Sequence, residues 1–378
     1  MPRRSHTKSR NGCDQCKKRR VKCDEQGPPC SNCASRELRC TYLNTPTART
    51  PVKSISRSPT SNHPRQDVNT APSTPSTCSR KRELELMHKF STETYQSLCN
   101  QATDYYVWQV IMPRKALEHD FLLSGILAAA SLHTATGLQP PEAFSYIDTA
   151  LEYYNQGLAP FRQAIDNINP HNADAVFAHS VIIIMVSIAL PRLTASRGES
   201  SSMTENIICV FELLQGVKKI FSIALPWLQN KFFAANHFFF DSLTAQLHPD
   251  TEAALSRLTA LNDTILADTD PDQHRIIKES IALLRRSYVR FTNYHDAASV
   301  LSWLAAVDKE FVLVLCRRQP LPLLVLMHWG VLLGELDAKT WWARDSGSVL
   351  VSETLLALRD CDMRLVDAIL WPKKKLGM

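Results

Sequence analysis

Cys13, Cys16, Cys23, Cys30, Cys33 and Cys40 are separated by two, six, six, two and six residues, so one Cys-x2-Cys-x6-Cys half is written twice within 28 residues. Cysteine thiolate is a soft ligand suited to tetrahedral zinc, at a Zn to S distance of about 2.3 Å. A span this short buries too little apolar surface to fold alone, and domains below about 40 residues usually depend on a metal or on disulfides. The leading MPRRSHTKSRNG has no apolar core of a signal peptide and is studded with Lys and Arg, which argues for reduced thiols and for metal over disulfides. Six thiolates cannot close two separate four-ligand sites. Two of them must serve both ions, so the expected cofactor is two Zn2+, whose binding is worth about 10 to 16 kcal/mol in small zinc modules.

The two halves are equivalent as ligand sets but not as charges. The first insert, KKRRVK, holds five basic residues of six, whereas the second, ASRELR, holds two basic residues and one acid. Residues 1–43 carry eleven Lys or Arg against four acids, about +5 once two Zn2+ and six thiolates are counted, which favours a polyanionic partner. In a short helix beginning at Asp14, Arg19 and Arg20 fall near the end, where side chains can reach base edges. Lys17, Lys18 and Lys22 flank them, and Arg10 stands just ahead of the first cysteine. The blander alternatives are a zinc staple of purely structural use and a KKRR run that serves only nuclear import.

Residues 10–43, RNGCDQCKKRRVKCDEQGPPCSNCASRELRCTYL, resemble the binuclear zinc cluster of fungal transcription factors. The resemblance implies that the first and fourth cysteines, Cys13 and Cys30, bridge the two ions, with Gly27, Pro28 and Pro29 in the loop between halves. It also implies that Arg19 and Arg20, three and four positions after the second cysteine, read bases in the major groove, in CGG-type triplets. Arg bidentate to guanine is the commonest specific contact and discriminates by about 1 to 3 kcal/mol.

Residues 44–82 are rich in Ser, Thr and Pro, with seven Lys or Arg against one acid, and read as a disordered basic linker. Residues 83–378 are mildly acidic and long enough for a full core, and their apolar residues recur at helical spacing while strand signals are scarce. Helices are expected at ELELMHKFSTETYQSL, at FLLSGILAAASLHTAT, from Glu142 through Ile168, at ADAVFAHSVIIIMVSIAL up to Pro191, and in three later segments beginning at Thr204, Ser299 and Leu323. The run VIIIMVSIAL is half a bilayer span and reads as a buried core helix, so no membrane partner is expected.

In this body HDFLLSGILAAASLH, NADAVFAHS, PLPLLVLMHWGVLL, WWARDSGSVLVSETLLAL and ILWPKKKLGM look like the all-helical regulatory domain of fungal sterol uptake control regulators. That resemblance implies effector sensing or dimerisation. The expected fold is therefore a small Zn2Cys6 cluster of two short helix-strand halves, a disordered linker, and a large all-α regulatory domain. The expected function is a nuclear, sequence-specific DNA-binding transcription factor, an activator of a metabolic or secondary-metabolite gene cluster. Its expected partners are double-stranded DNA and the transcription machinery, with a homodimer possible. The alternative reading makes the helical domain a sterol- or metabolite-binding module.

Catalysis has no support. The chain holds no HExxH, GxSxG or Walker A pattern, and His295–Asp296 has no nucleophile beside it. Cys78, Cys99, Cys209, Cys316 and Cys361 lack ligand spacing and read as buried packing or inert linker thiols. Trp341 and Trp342 read as core before pocket lining. A coiled-coil seam through Leu84, Met87 and Leu98 is interrupted by polar Ser91 and Thr94, and the start of the helical body is the better reading.

Overall fold

Sulfur rather than hydrocarbon fills the centre of the first folded unit. The computed structural model describes residues 13–19, 21–25, 29–36, 38, 40, 77–100, 102, 104–195, 197–198, 202–228, 245–359 and 362–378, and the chain divides into two units, 1–72 and 73–378. In the first unit, α1 (Asp14–Lys18) and α2 (Ser31–Ala34) each begin directly after a cysteine. Cys13, Cys16, Cys23, Cys30 and Cys33 are at most 3% exposed, and among the described residues Leu38 and Cys40 pack against them. Among the described residues no strand follows either helix.

The second unit is helical throughout its described residues. It opens with α3 (Thr77–Thr92), a 3-10 turn at Thr94–Leu98, and α4 (Asp104–Tyr106), which runs through a π-turn at Val107–Ile111 into α5 (Met112–Ala116). Then come α6 (Asp120–Ala135), α7 (Glu142–Asp166), α8 (Ala173–Ala195) and α9 (Met203–Ala224). After the undescribed 229–244 follow α10 (Pro249–Leu266), α11 (Pro271–Tyr294), α12 (Ala297–Ala306) and α13 (Lys309–Cys316). The unit closes with α14 (Pro320–Gly334), α15 (Ser346–Ala357) and α16 (Val366–Lys375).

Local chemistry explains the boundaries. Pro249, Pro271 and Pro320 occupy first-turn positions, where a missing N–H costs nothing. The carboxylates of Asp270, Asp296 and Asp308 accept from the first-turn N–H groups of Gln273, Ser299 and Glu310. Asp308 is also the reason that SVLSWLAAVDKEFVLVLC is two helices and not one: the chain turns extended at Val307 and restarts under that cap. The pair His295–Asp296 has the same explanation. His295 ends α11 at φ 52° and Asp296 starts α12, so both are helix punctuation.

Two expectations need correction, the helix end at Pro191 and the burial of the later cysteines. The helix expected to stop at Pro191 continues to Ala195. Proline at 191 cannot bond the carbonyl of Ser187, and the Asn206 side-chain amide supplies the donor instead, at 3.0 Å. The resulting α8 is 23 residues long, enough by length and composition to cross a bilayer, but 83% of its most apolar 18-residue window is buried inside the fold. The α13–α14 pair passes the same test only as a span bent by 110°.

In α3 the core positions are Leu86 and Phe90, both fully buried, while Leu84 is 71% exposed. Met87 packs partly, and Leu98 lies beyond the helix end, so the seam does not form. Cys99 packs against the core, but Cys209 and Cys316 are exposed because they ride the outer faces of amphipathic helices. Cys361 and the Cys78 side chain lie outside the described residues.

The core centres on α14, of whose fifteen residues thirteen are buried. The rings of Trp303 and Trp329 stack at 5.7 Å, and their indoles donate to the Ser280 and Val300 carbonyls, each at 2.9 Å. α15 reaches α14 through glycine contacts. A Cβ on Gly347 would lie 2.5 Å from Gly334 N and 2.6 Å from Gly330 O, which is backbone that cannot move aside. From the same helix, Glu353 accepts from the Met203 and Thr204 N–H groups, placing a carboxylate on the positive end of α9.

A paired substitution tests this packing. Gly347→Ala should destabilise the helical unit by about 1–3 kcal/mol through overpacking. Gly216→Ala on α9, where a Cβ meets open space, should be neutral or stabilising by up to about 1 kcal/mol. Thermal melts followed by far-UV circular dichroism give both signs, and equal effects would contradict the close approach.

Candidate metal centre

The two cysteine halves repeat most of their bonds along the chain, with the difference that the Cys16 N–H caps onto Cys13 Sγ at 3.4 Å while Cys30 makes no side-chain cap. The Cys13 and Cys30 N–H groups donate to the Sγ atoms of Cys23 and Cys40, at 3.4 and 3.3 Å. Lys17 N and Ala34 N bond back to the carbonyls of Cys13 and Cys30, and Val21 N and Leu38 N to those of Cys16 and Cys33. Cys13 and Cys30 share the N-cap conformation, φ −61° ψ 157° and φ −66° ψ 158°. Each sulfur pair i, i+3 is thereby gathered over a helix start, where partial positive charge favours thiolate.

These caps aim all six sulfurs inward. Cys13 Sγ lies 3.7 Å from Cys30 Sγ and 3.6 Å from Cys33 Sγ, and Cys16 Sγ lies 3.6 Å from Cys30 Sγ. A disulfide would bring sulfurs to about 2.05 Å, whereas the edge of a tetrahedron with Zn–S near 2.3 Å is about 3.8 Å. The sulfurs fall into two sets of four, Cys13–Cys16–Cys23–Cys30 and Cys13–Cys30–Cys33–Cys40, each within 4.8 Å throughout. Both sets contain Cys13 and Cys30. The donor chemistry and the spacing therefore fit two zinc ions held by six thiolates.

Electrostatics points the same way. Burial, and then thiol hydrogen bonds from its neighbours, push the Cys33 thiol up to about 12. The same causes raise Cys16 strongly, and burial raises Cys40 against the pull of the Cys30 N–H. At Cys13 and Cys30 burial is the largest single influence and disfavours the charge, but backbone N–H donation and thiol hydrogen bonds from neighbouring cysteines together outweigh it and lower both. Six thiolates cannot share this space without cations among them.

The two halves are stitched by residues that spacing alone did not single out. Asp24 accepts from Ser31 N at 3.0 Å and from the Ser31 hydroxyl, capping α2 from the first half. Asn32 Nδ2 donates to Lys22 O at 2.8 Å. The six-residue inserts placed both partners at the facing ends, but only the fold shows that they meet.

Lys17 and Lys18 form the exposed last turn of α1, and Lys22 is exposed beyond it. Arg19 caps the helix C-terminus and is half-buried, with Nη1 shielded and lacking an acceptor among the described residues. Arg10 and Arg20 lie outside the described residues.

The helical unit holds one further feature of chemical interest, a cavity against α8, α9 and α12 with about 790 Å³ of atom-free space, counted to its open mouth. Phe177, Ile184, Val217, Phe221, Leu301 and Trp342 contribute to its wall. Trp341 and Trp342 are both buried, as core residues should be, but Trp342 also faces the cavity and donates to Ser97 O at 3.2 Å. Its walls come from segments up to 245 residues apart, which no local pattern reveals.

Residues 11–50 match the fungal Zn(2)-Cys(6) binuclear cluster domain. Over 91% of its length the chain is 25% identical to a Zn(2)-C6 fungal-type transcription factor of Gibberella zeae, covering 81% of that protein. It is 27% identical to the Zn(2)-C6 fungal-type transcription factor afumD of Aspergillus fumigatus, over 84% of this chain and 78% of the relative. Sterol uptake control protein 2 of Candida albicans is 37% identical over 35% of this chain and 18% of its own length.

Metal binding should displace protons at neutral pH, because Cys16, Cys33 and Cys40 are raised in the metal-free cluster. Zinc titration calorimetry of the full chain at pH 7, in buffers of different ionisation heat, should show at least these three protons released, and an apparent affinity that falls as pH is lowered. Zinc binding without proton release would contradict the thiolate site. With six sulfurs set as two overlapping fours, a match to the fungal Zn(2)-Cys(6) cluster domain over residues 11–50, and transcription factors as its relatives along most of its length, the chain carries a fungal-type binuclear zinc cluster and is a DNA-binding transcription regulator rather than an enzyme.

Proposed function

We propose that the chain is a nuclear, sequence-specific transcription factor that reads CGG-like triplets through the first half of its cluster. The observation that carries this reading is the unequal dressing of two equivalent metal halves. The last turn of α1 carries exposed Lys17 and Lys18, while the corresponding turn of α2 carries none. In this reading Cys13 and Cys30, common to both sulfur sets, bridge the ions, with Cys16, Cys23, Cys33 and Cys40 terminal. Arg19 and Arg20 contact base edges, and Arg10, Lys17, Lys18 and Lys22 contact phosphate.

The likeness to fungal transcription factors along most of the chain supports a transcription regulator, and in this reading it is a pathway-specific activator of a metabolic or secondary-metabolite gene cluster that recruits the transcription machinery and pairs with a second copy. Genome-wide binding of the tagged protein would give motif, spacing and regulated pathway together, and peaks without a shared triplet would count against the reading.

The apolar cavity favours a second reading, in which the helical unit is a ligand-binding module that gates this output. The partial likeness to a sterol uptake control protein is in keeping with it.

Substitutions separate readout from charge. Arg19→Ala or Arg20→Ala should cost about 1 to 3 kcal/mol at the preferred duplex and relax its specificity. Lys17→Ala should weaken all duplexes alike and reduce the salt slope by about 1. Fluorescence anisotropy across a salt series makes the comparison. Equal loss on every sequence for all three variants would sink direct readout by the arginines.

A further inference from the structure

One side of α16 is docked and the other is bare. Leu365, Ala368, Trp371 and Pro372 face inward and are buried. The Trp371 ring stacks on His328 of α14 at 5.2 Å and stands edge-on to Tyr288 of α11 at 6.3 Å. Its Nε1 donates to Asp250 Oδ2 in the first turn of α10 at 3.0 Å, and Lys375 Nζ reaches the same oxygen at 3.0 Å. The helix is thereby anchored to three others.

The outward side carries a line of large apolar side chains. Met363 is 81% exposed, Leu370 54% and Val366 39%. The 3-10 turn at Met363–Leu365 runs straight into α16, and side chains three apart eclipse in such a turn, so Met363 stands in line with Val366. Leu370 follows one helical turn on, and Lys373 and Lys374 one turn beyond it. Three such residues in line on an anchored helix differ from the scattered exposed residues that need no explanation.

The stripe is self-complementary about Leu370. Exposed Asp367 stands three positions before it, and partly exposed Lys373 three after. Val366 lies four before, and Lys374 four after, where its methylene stem can cover an apolar neighbour. Met363 lies seven before, and Gly377 seven after, where even a Cβ would meet nothing within 4 Å. A second copy of the helix laid antiparallel, Leu370 on Leu370, sets acid against base twice, valine under a lysine stem, and methionine over a residue without a side chain. A parallel copy sets Asp367 on Asp367 and Lys373 on Lys373. Asp362 stays out of this pattern, because the Arg364 guanidinium of its own chain closes on it at 2.8 and 2.5 Å.

We propose that α16 is the two-fold contact of a homodimer, with Leu370 on the axis and Asp367 of each copy paired with Lys373 of the other. This rests on the reading above that the chain pairs with a second copy, and it names the surface and its geometry. Each residue meets the same set in its partner, as an isologous contact requires. One helix pair covers less than the roughly 1,600 Å² of a standard interface, so the dissociation constant should fall at about 1–100 μM.

Sedimentation velocity of the full zinc-loaded chain across that concentration range tests it. Wild type should pass from monomer to dimer. Leu370→Asp should weaken the dimer at least about tenfold. Asp367→Lys and Lys373→Asp should each weaken it by about five- to tenfold, and the two together in one chain should restore the wild-type value. Such rescue does not follow from a disturbed fold, and melting curves like that of the wild type confirm that each variant is folded. A dimer that Leu370→Asp leaves intact, or paired charge swaps that fail to rescue, would overturn this contact while leaving pairing with a second copy in place. A chain that stays monomeric throughout would overturn both. If Leu370→Asp lowered reporter output of that monomer, the stripe would belong to a different protein partner, and the dimer contact would be equally excluded.

Discussion

Mutual repulsion among crowded thiolates is the constraint on which the DNA-binding unit depends. Sulfurs 3.6 to 3.7 Å apart, covered from solvent and fed by helix-start N–H groups, form a core only when cations offset their charge. Among the described residues of the unit little hydrocarbon substitutes for that attraction, since Leu38 alone joins the sulfurs in their centre. Folding, metal binding and presentation of α1 are therefore one event. Whatever removes the metal removes the scaffold that holds Lys17, Lys18 and Arg19 in place.

The helical unit is held by the opposite means. Its centre is α14, buried nearly all round, closed on one side by glycine-to-glycine contact with α15 and braced by the stacked indoles of Trp303 and Trp329. Several of its polar groups terminate or join helices, as Asp296 and Asp308 do at N-termini and Glu353 does at the start of α9. Such a body can carry a cavity without losing its frame, because the cavity lies beside α8, α9 and α12 and away from the α14–α15 crossing.

The metal centre was legible in the sequence because its ligand spacing is local: three residues from Cys13 to Cys16 is one helical turn, and the repeat at Cys30 copies it. The long helices were legible from their apolar period, and their ends where Pro or Asp stands in the first turn. What was not legible depended on partners distant in sequence. The helix through Pro191 is completed by Asn206, fifteen residues on. The helices over 249–266 and 271–294 mix charge with a narrow apolar face and lacked the dense hydrophobic runs that marked the others. Trp342 shows both roles considered for it, because one face of a buried ring can close a core while its edge borders a cavity.

Zinc counting by native mass spectrometry of the full chain tests the central claim most directly. Two overlapping four-sulfur sets predict saturation at two zinc ions per chain with six thiol protons lost, and little one-zinc species along the titration, because the shared sulfurs couple the two sites. Saturation at one zinc, or a stable one-zinc form that dominates at half-loading, would contradict the shared cluster.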